Sequence, residues 1–138
     1  MMETQTTTMA FVLDQAFEPA LAQIRQAIRQ EQLSIAGEVD VAQRVRHTLE
    51  IFVPQCRVLL VDSPLLLLET TAIDRASGIF IPLHLVVSSA GSRTLVQMLN
   101  LEHIRNSDLP IGIRAPVLDL QRQLARALAK VAQRVHSA

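Results

Sequence analysis

The sequence predicts a single α+β domain of four to five strands and four helices that ends in a long helix. Three observations indicate this class. Two kinds of segment follow one another along the chain. In one kind the apolar residues alternate, as in strands, and in the other they recur every three or four positions, as in helices. No repeat or low-complexity segment interrupts this order. The length of 138 residues suits one hydrophobic core and is too short for two.

The first half of the chain predicts strands and helices in alternation, after a flexible start over residues 1–6. In chain order the predicted elements are a strand from Thr7 to Leu13, a helix from Phe17 to Glu31, a strand from Leu33 to Val39 and a helix from Val41 to Leu49. Asp40 stands directly before the second helix, where an aspartate caps the free N–H groups of the first turn.

The second half predicts a third strand, a short helix, a β-hairpin and the long helix. In chain order these are a strand from Arg57 to Val61, a helix that begins at Pro64, hairpin strands from Phe80 to Val87 and from Arg93 to Leu99, a connector over residues 100–115 and a helix over residues 116–136. Leu120, Leu124 and Leu128 give the last helix its apolar face.

Composition excludes several functional classes. The formal net charge is zero, so the molecule has no overall attraction to phosphate and no nucleic acid is expected as a partner. The longest apolar run is far too short to cross a bilayer. A single cysteine, Cys56, can form no internal disulfide, and the N-terminus lacks the pattern of a secretory signal. These features favour a soluble, cytoplasmic protein.

Three segments together resemble the domain-of-unknown-function family 302. They are the turn Glu38-Val39-Asp40-Val41, the strand Arg57-Val58-Leu59-Leu60 ending at Asp62-Ser63-Pro64, and Ile81-Pro82-Leu83 at the start of the hairpin. The resemblance covers about Met9 to Leu99 and implies a curved antiparallel sheet packed by helices, often in a homodimer. It implies no established activity.

The sequence departs from the family pattern at two positions of interest. Gln32 stands where such proteins usually have a glycine after the first helix, so we expect this helix end to be built differently. Leu83 stands where many relatives carry a cysteine, which removes thiol chemistry from that position.

His84 is the most interesting of the four histidines. Strand alternation puts it on one face with Phe80, Pro82 and Val86, so its ring is expected to point into apolar surroundings that lower its pKa. One interpretation is a histidine satisfied in a core or dimer interface, and the other is a contact to a ligand or to a haem-like cofactor. None of the histidines has the helical spacing of a metal pair, so no metal site is predicted.

Cys56 and two aspartates are weaker candidates for catalysis. A lone thiol before a strand is more often an inert hydrophobe than a nucleophile. Asp40 and Asp62 could act as paired acids at the ends of the second and third strands, but each has a simpler task as a helix cap.

The last helix carries basic residues at every fourth position, namely Arg122, Arg126, Lys130 and Arg134. Such a stripe is either a solvated helix face or a surface for an anionic membrane, an acidic partner or a nucleic-acid backbone. The sequence therefore leaves three hypotheses. The first is a non-enzymatic homodimeric module with an apolar pocket or interface at residues 80–87 for a small apolar ligand. The second is a redox or cofactor-binding protein or enzyme that uses His84 or Cys56, and the third is an adaptor that uses the basic helix. The sequence identifies no cofactor.

Overall fold

The computed structural model describes residues 8–103, 109 and 111–135. Within this part of the chain the fold is α+β, with six strands and four α-helices. The strands are β1 (Thr8–Leu13), β2 (Ser34–Asp40), β3 (Cys56–Asp62), β4 (Leu83–Ala90), β5 (Arg93–Leu99) and β6 (Gln133–Val135). The helices are α1 (Phe17–Gln30), α2 (Val41–Leu49), α3 (Pro64–Ile73) and α4 (Arg114–Ala129).

The six strands form one antiparallel sheet in the order β2-β3-β4-β5-β1-β6. The predicted hairpin is its centre, where β4 and β5 are joined at Gly91. This glycine has a φ of 67°, which suits a two-residue turn between twisted strands. β1 then pairs with β5, with Phe11 opposite Val96, so the first and last thirds of the chain are joined through the middle of the sheet.

One face of the sheet forms the hydrophobic core with α1 and α4. Strand alternation turns the same set of side chains inward on neighbouring strands, and the apolar faces of both helices join them in one buried cluster. Its largest fully buried side chains are Phe11, Leu13, Leu21, Ile24, Ile28, Leu59, Ile81, Leu85, Ile113, Leu120, Leu124 and Leu128. We call this side the inner face of the sheet.

The sheet has six strands, whereas four to five were predicted, and the difference lies at the end of the chain. The helix predicted over residues 116–136 begins at Arg114 and ends at Ala129. Residues 133–135 instead pair with β1, with Val135 opposite Ala10 and Gln133 opposite Val12. The spacing of Val131 and Val135 suited a longer helix, but the free edge of β1 offers the backbone ladder hydrogen bonds instead.

Gln32 ends α1 in the left-handed conformation, so the expectation of a different helix end was wrong. Its φ is 64°. Its N–H donates to the carbonyl of Arg29 at 3.0 Å, and the N–H of Leu33 donates to the carbonyl of Ile28 at 3.1 Å. This is the hydrogen-bond pattern with which a glycine usually closes a helix. Here a residue with a side chain takes that position, at a cost in conformational energy.

Gln32→Gly is expected to raise the free energy of unfolding by about 0.5–1 kcal/mol, because the left-handed conformation costs a non-glycine residue about 1–2 kcal/mol and glycine loses part of that gain as backbone entropy. Chemical denaturation measures the change. The matched control is Gln30→Gly, which places a glycine two residues earlier, at the last residue of α1. This variant is expected to lower stability by a similar amount. A Gln32→Gly variant no more stable than the original chain would contradict the prediction.

Candidate functional site

The face of the sheet opposite the core is largely apolar, and none of its central side chains is buried. The strand registers bring them together as Val58 opposite Val86, Val86 opposite Gln97 and Ala10 opposite Gln97. We call this the outer face, formed by Ala10, Val12, Cys56, Val58, Leu60, His84, Val86, Ser88, Leu95, Gln97 and Leu99. Leu99 is 51% exposed, so a large apolar side chain meets water here.

A groove of about 500 Å³ lies at one end of the outer face, where β4 begins and β5 ends. Its size is within the range of small-molecule sites. Most of its lining is apolar. The lining residues are Thr8, Ile79, Phe80, Pro82, Leu83, His84, Val86, Gln97, Met98, Leu99 and Leu101. We call this the apolar groove.

All four residues proposed from the sequence as ligand contacts line the apolar groove: Phe80, Pro82, His84 and Val86. Their position differs from the expectation in one respect. The ring of His84 was expected to be buried, but within the single chain it is exposed. It lies on the outer face, while its neighbours Leu83 and Leu85 point into the core. The strand was predicted to begin at Phe80 but begins at Leu83, so Phe80 and Pro82 precede it. The alternation of His84 and Val86 within β4 was correctly predicted, and the burial of His84 was not.

The other half of the groove was not predicted from the sequence. Thr8 and Gln97 come from β1 and β5, and Leu101 follows β5 in a short 3-10 helix over Leu101–His103. Local patterns cannot identify these residues, because the pairing of distant strands brings them to the site. To predict them, one would need the register of β1 on β5, in which Thr8 lies opposite Leu99.

Gln121 holds the segment that closes one end of the groove. This side chain of α4 is fully buried. Its Oε1 accepts a hydrogen bond from the N–H of Leu101 at 2.5 Å, and its Nε2 donates to Oδ1 of Asn100 at 3.3 Å. Both hydrogen bonds are buried. Breaking a buried hydrogen bond leaves a polar group without a partner, which costs free energy. The hydrogen bonds of Gln121 therefore hold Leu101 in place as a wall of the groove.

The two aspartates do not form a catalytic pair. Asp40 ends β2 opposite Arg57, whereas Asp62 ends β3 opposite Ser34, so they lie at opposite ends of the same strand pair. Asp40 caps α2 by accepting from the N–H of Gln43 at 3.0 Å, and this hydrogen bond lowers the pKa of its carboxyl. Its second oxygen accepts from Arg57 at 2.9 Å.

Asp62 has a different role from the one expected. The cap of α3 is Ser63, whose hydroxyl accepts from the N–H of Leu66, so the assignment of Asp62 as a cap was wrong. Serine is a preferred cap, and Pro64 takes the first helical position. Asp62 itself is buried, which raises the pKa of its carboxyl.

Cys56 lies on the outer face, opposite Ser88 of β4. Burial, and to a smaller extent the charge of Asp40, raises the pKa of its thiol, so the nucleophilic thiolate is disfavoured. Ser88 and His84 are four residues apart on β4, which corresponds to about 13 Å along a strand. Cys56 and His84 are therefore too far apart to act on one another directly.

The basic residues of the last helix are engaged within the chain. Arg126 and Lys130 donate to the two carboxylate oxygens of Glu31 at 2.8 Å and 2.9 Å. These contacts lower the pKa of Glu31 and tie the end of α1 to the end of α4. Arg122 pairs with Asp119 at 3.7 Å and with Glu102 at 4.0 Å. Arg134 was expected on the same helical stripe, but it lies in β6 opposite Phe11, because the helix ends before it.

The described residues contain neither a metal-binding cluster nor a membrane-spanning helix. In that part of the chain, no group of three or more histidine, cysteine, aspartate or glutamate side chains could hold a metal ion. Across the same residues, no helix combines the length and the apolar character needed to span a membrane.

Comparison with known proteins identifies a family and a fold. The family described as "Domain of unknown function DUF302" matches residues 9–131. A crystal structure of an uncharacterized conserved DUF302 protein from Bacillus stearothermophilus superimposes with a TM-score of 0.81 and 15% sequence identity, covering 92% of this chain and 99% of the other. At this identity the likeness concerns the fold alone. No curated protein matches the sequence.

The raised pKa of Cys56 predicts slow alkylation. At neutral pH we expect iodoacetamide to react with Cys56 in the folded protein severalfold more slowly than with the same thiol in urea, because less thiolate is present and the side chain is half-buried. The alkylation rate of the folded protein should keep rising with pH beyond the point at which the alkylation rate of the unfolded chain becomes constant. Mass spectrometry of timed samples gives both rates. A folded thiol that reacts as fast as the unfolded one would favour a catalytic or redox role.

Proposed function

The chain belongs to the DUF302 family, and we propose that it is a non-enzymatic module that binds a small apolar molecule in the apolar groove. The observation that carries the proposal is the lining of this groove, where Phe80, Pro82 and Val86 meet Leu99 and Leu101 from other elements. Burial of apolar surface is the main driving force for such binding, at about 25 cal/mol for each Å² removed from water.

The exposed side chains at the groove strengthen the proposal. Ile79 is 79% exposed and Leu99 is 51% exposed, although both are large and apolar. A ligand that lies between them would cover both. The groove also keeps a defined shape without the ligand, because β4 and β5 hold one side and the Gln121 hydrogen bonds hold Leu101 on the other. A preformed site lowers the entropic cost of binding.

Catalysis is less well supported than binding. Asp40 is occupied by Gln43 and Arg57, Asp62 lies at the far end of the strand, and the thiol of Cys56 is held in its protonated form. Among the described residues that line the groove, His84 is the sole ionisable side chain. A cytoplasmic location is part of the proposal, since the single cysteine can form no internal disulfide.

Binding is tested with a neutral fluorescent probe such as N-phenyl-1-naphthylamine. We expect saturable fluorescence enhancement with the original chain and at least about a tenfold loss of affinity in Val86→Lys, because an unpaired ammonium in an apolar site is strongly unfavourable. The matched control is Val12→Lys, which places the same charge on the outer face away from the groove lining. Thermal melts check that both variants fold.

Three results would overturn the binding proposal. The first is no binding of the probe to the original chain, and the second is an equal loss of probe affinity in both lysine variants although both remain folded. The third is a visible absorption band in protein purified from its own source that disappears in His84→Ala, because this would identify a haem-like cofactor with His84 as its ligand.

We extend the proposal to a homodimer in which a second copy covers the outer face. The support is the composition of this face, whose defining residues are mostly apolar, while charge enters at its margin, where Arg93 of β5 pairs with Asp14 at 3.4 Å. A mostly apolar surface of this kind suits contact with itself. The groove lies at one end, so a second copy can cover the remaining residues without filling it.

Native mass spectrometry over a dilution series tests the homodimer. We expect a dimer for the original chain and a monomer for Val12→Lys, because two lysines would be forced together across a two-fold interface. The same variant should still bind the neutral probe, and this result would separate assembly from ligand binding. A monomeric original chain at all concentrations would remove the homodimer from the proposal and leave the binding site intact.

A further inference from the structure

The polar part of the groove lining is small and is concentrated on the sheet. Its polar side chains are Thr8, His84 and Gln97, and every other lining residue is apolar. Among the residues that the structure describes, no lining residue carries a carboxylate, an ammonium or a guanidinium group. A ligand therefore meets polar groups at one place and apolar surface elsewhere.

The strand registers bring His84 and Gln97 together. Gln97 on β5 lies opposite Val86 on β4, and His84 precedes Val86 by two residues on the same face. Positions related in this way are diagonal neighbours about 7–8 Å apart, within reach of long side chains. Thr8 is placed similarly on the other side of Gln97, because Ala10 lies opposite Gln97. One chemical group above Leu99 can therefore contact side chains from three strands.

The chemistry of these side chains favours a hydrogen-bond acceptor with negative charge. An imidazole donates at least one N–H in either protonation state, the Gln97 amide offers two N–H donors, and the Thr8 hydroxyl offers one. A carboxylate accepts from all of them, and hydrogen bonds to an ionised acceptor are about twice as strong as neutral ones. A ligand ammonium would find no carboxylate in the lining to pair with, so burial of its charge would be uncompensated.

The apolar part of the lining lies to one side of this polar group. Phe80, Pro82 and Ile79 precede β4, and Leu101 follows β5 at the same end of the sheet. A chain of methylene groups that starts near His84 can run over these side chains and cover the exposed Ile79. The polar and apolar parts are thus arranged for a molecule with a head and a tail.

We propose that the groove binds a long-chain carboxylate, with the carboxylate held by His84 and Gln97 and the alkyl chain on Ile79, Phe80 and Leu101. This inference rests on the proposed function, because it names the class of ligand that the same groove takes. It assigns His84 a role as a binding residue that selects the head group, with Gln97 as its partner on the neighbouring strand.

Isothermal titration of three probes with equal chain length tests the proposal: dodecanoate, 1-dodecanol and dodecylamine, with the two ionic probes below their critical micelle concentrations and 1-dodecanol below its solubility limit. We expect the original chain to bind dodecanoate about tenfold more tightly than 1-dodecanol, which corresponds to one or two additional charge-assisted hydrogen bonds. Dodecylamine should bind most weakly. In the double variant His84→Leu and Gln97→Leu, the preference for dodecanoate should disappear while 1-dodecanol still binds.

The matched control is Gln133→Leu, which removes a glutamine from β6, opposite Val12 and outside the groove lining. It should leave the order of the three affinities unchanged. Equal affinity for dodecanoate and 1-dodecanol, or tighter binding of the amine, would overturn the carboxylate proposal even if the neutral fluorescent probe binds. If none of the three probes and no neutral probe binds, the carboxylate proposal and the proposed function both fail. The neutral probe therefore distinguishes the two failures.

Discussion

Packing of α1 and α4 against a single face of the sheet is the constraint on which the other features depend. Strand alternation sends Phe11, Leu85 and Val96 toward the helices, where Ile24 and Leu124 complete the core. The intervening residues of the same strands then point the other way. Because many of these residues are also apolar, packing the helices on one face leaves an apolar outer face without a helix over it. The apolar groove lies at one end of that outer face.

Charge is used mainly to fasten helices. Arg25 of α1 donates to both carboxylate oxygens of Glu38 on β2, at 2.8 Å and 2.6 Å, and these contacts lower the pKa of Glu38. Glu31 joins the ends of α1 and α4 through Arg126 and Lys130. Exposed ion pairs of this kind contribute little stability each, but they set which helix end meets which neighbour. The described lining of the groove, by contrast, contains no arginine, lysine, aspartate or glutamate that could form such a pair.

The sequence was sufficient where the signal is local. Period-two alternation correctly placed His84 and Val86 on one face of β4, and Asp40 was correctly identified as the cap of α2. Phe80 and Pro82 line the same groove from outside the strand, so alternation does not account for them. The sequence was insufficient where the structure depends on contacts between segments that are far apart in the chain. Residues 133–135 suit a helix until the free edge of β1 is known, and Thr8, Gln97 and Leu101 become neighbours only through strand pairing and the buried Gln121. The exposure of His84 likewise depends on which face the helices cover, and no local pattern encodes that.

The two edges of the sheet affect how the protein behaves when it is crowded. Within the described residues β6 is three residues long, and β2 at the other edge has an irregular register between Ile35 and Gly37. Short or irregular edges offer few aligned backbone groups to an incoming strand. The molecule can therefore present an apolar face without also presenting a template for strand addition, and this combination guards against growth of the sheet from one molecule into the next.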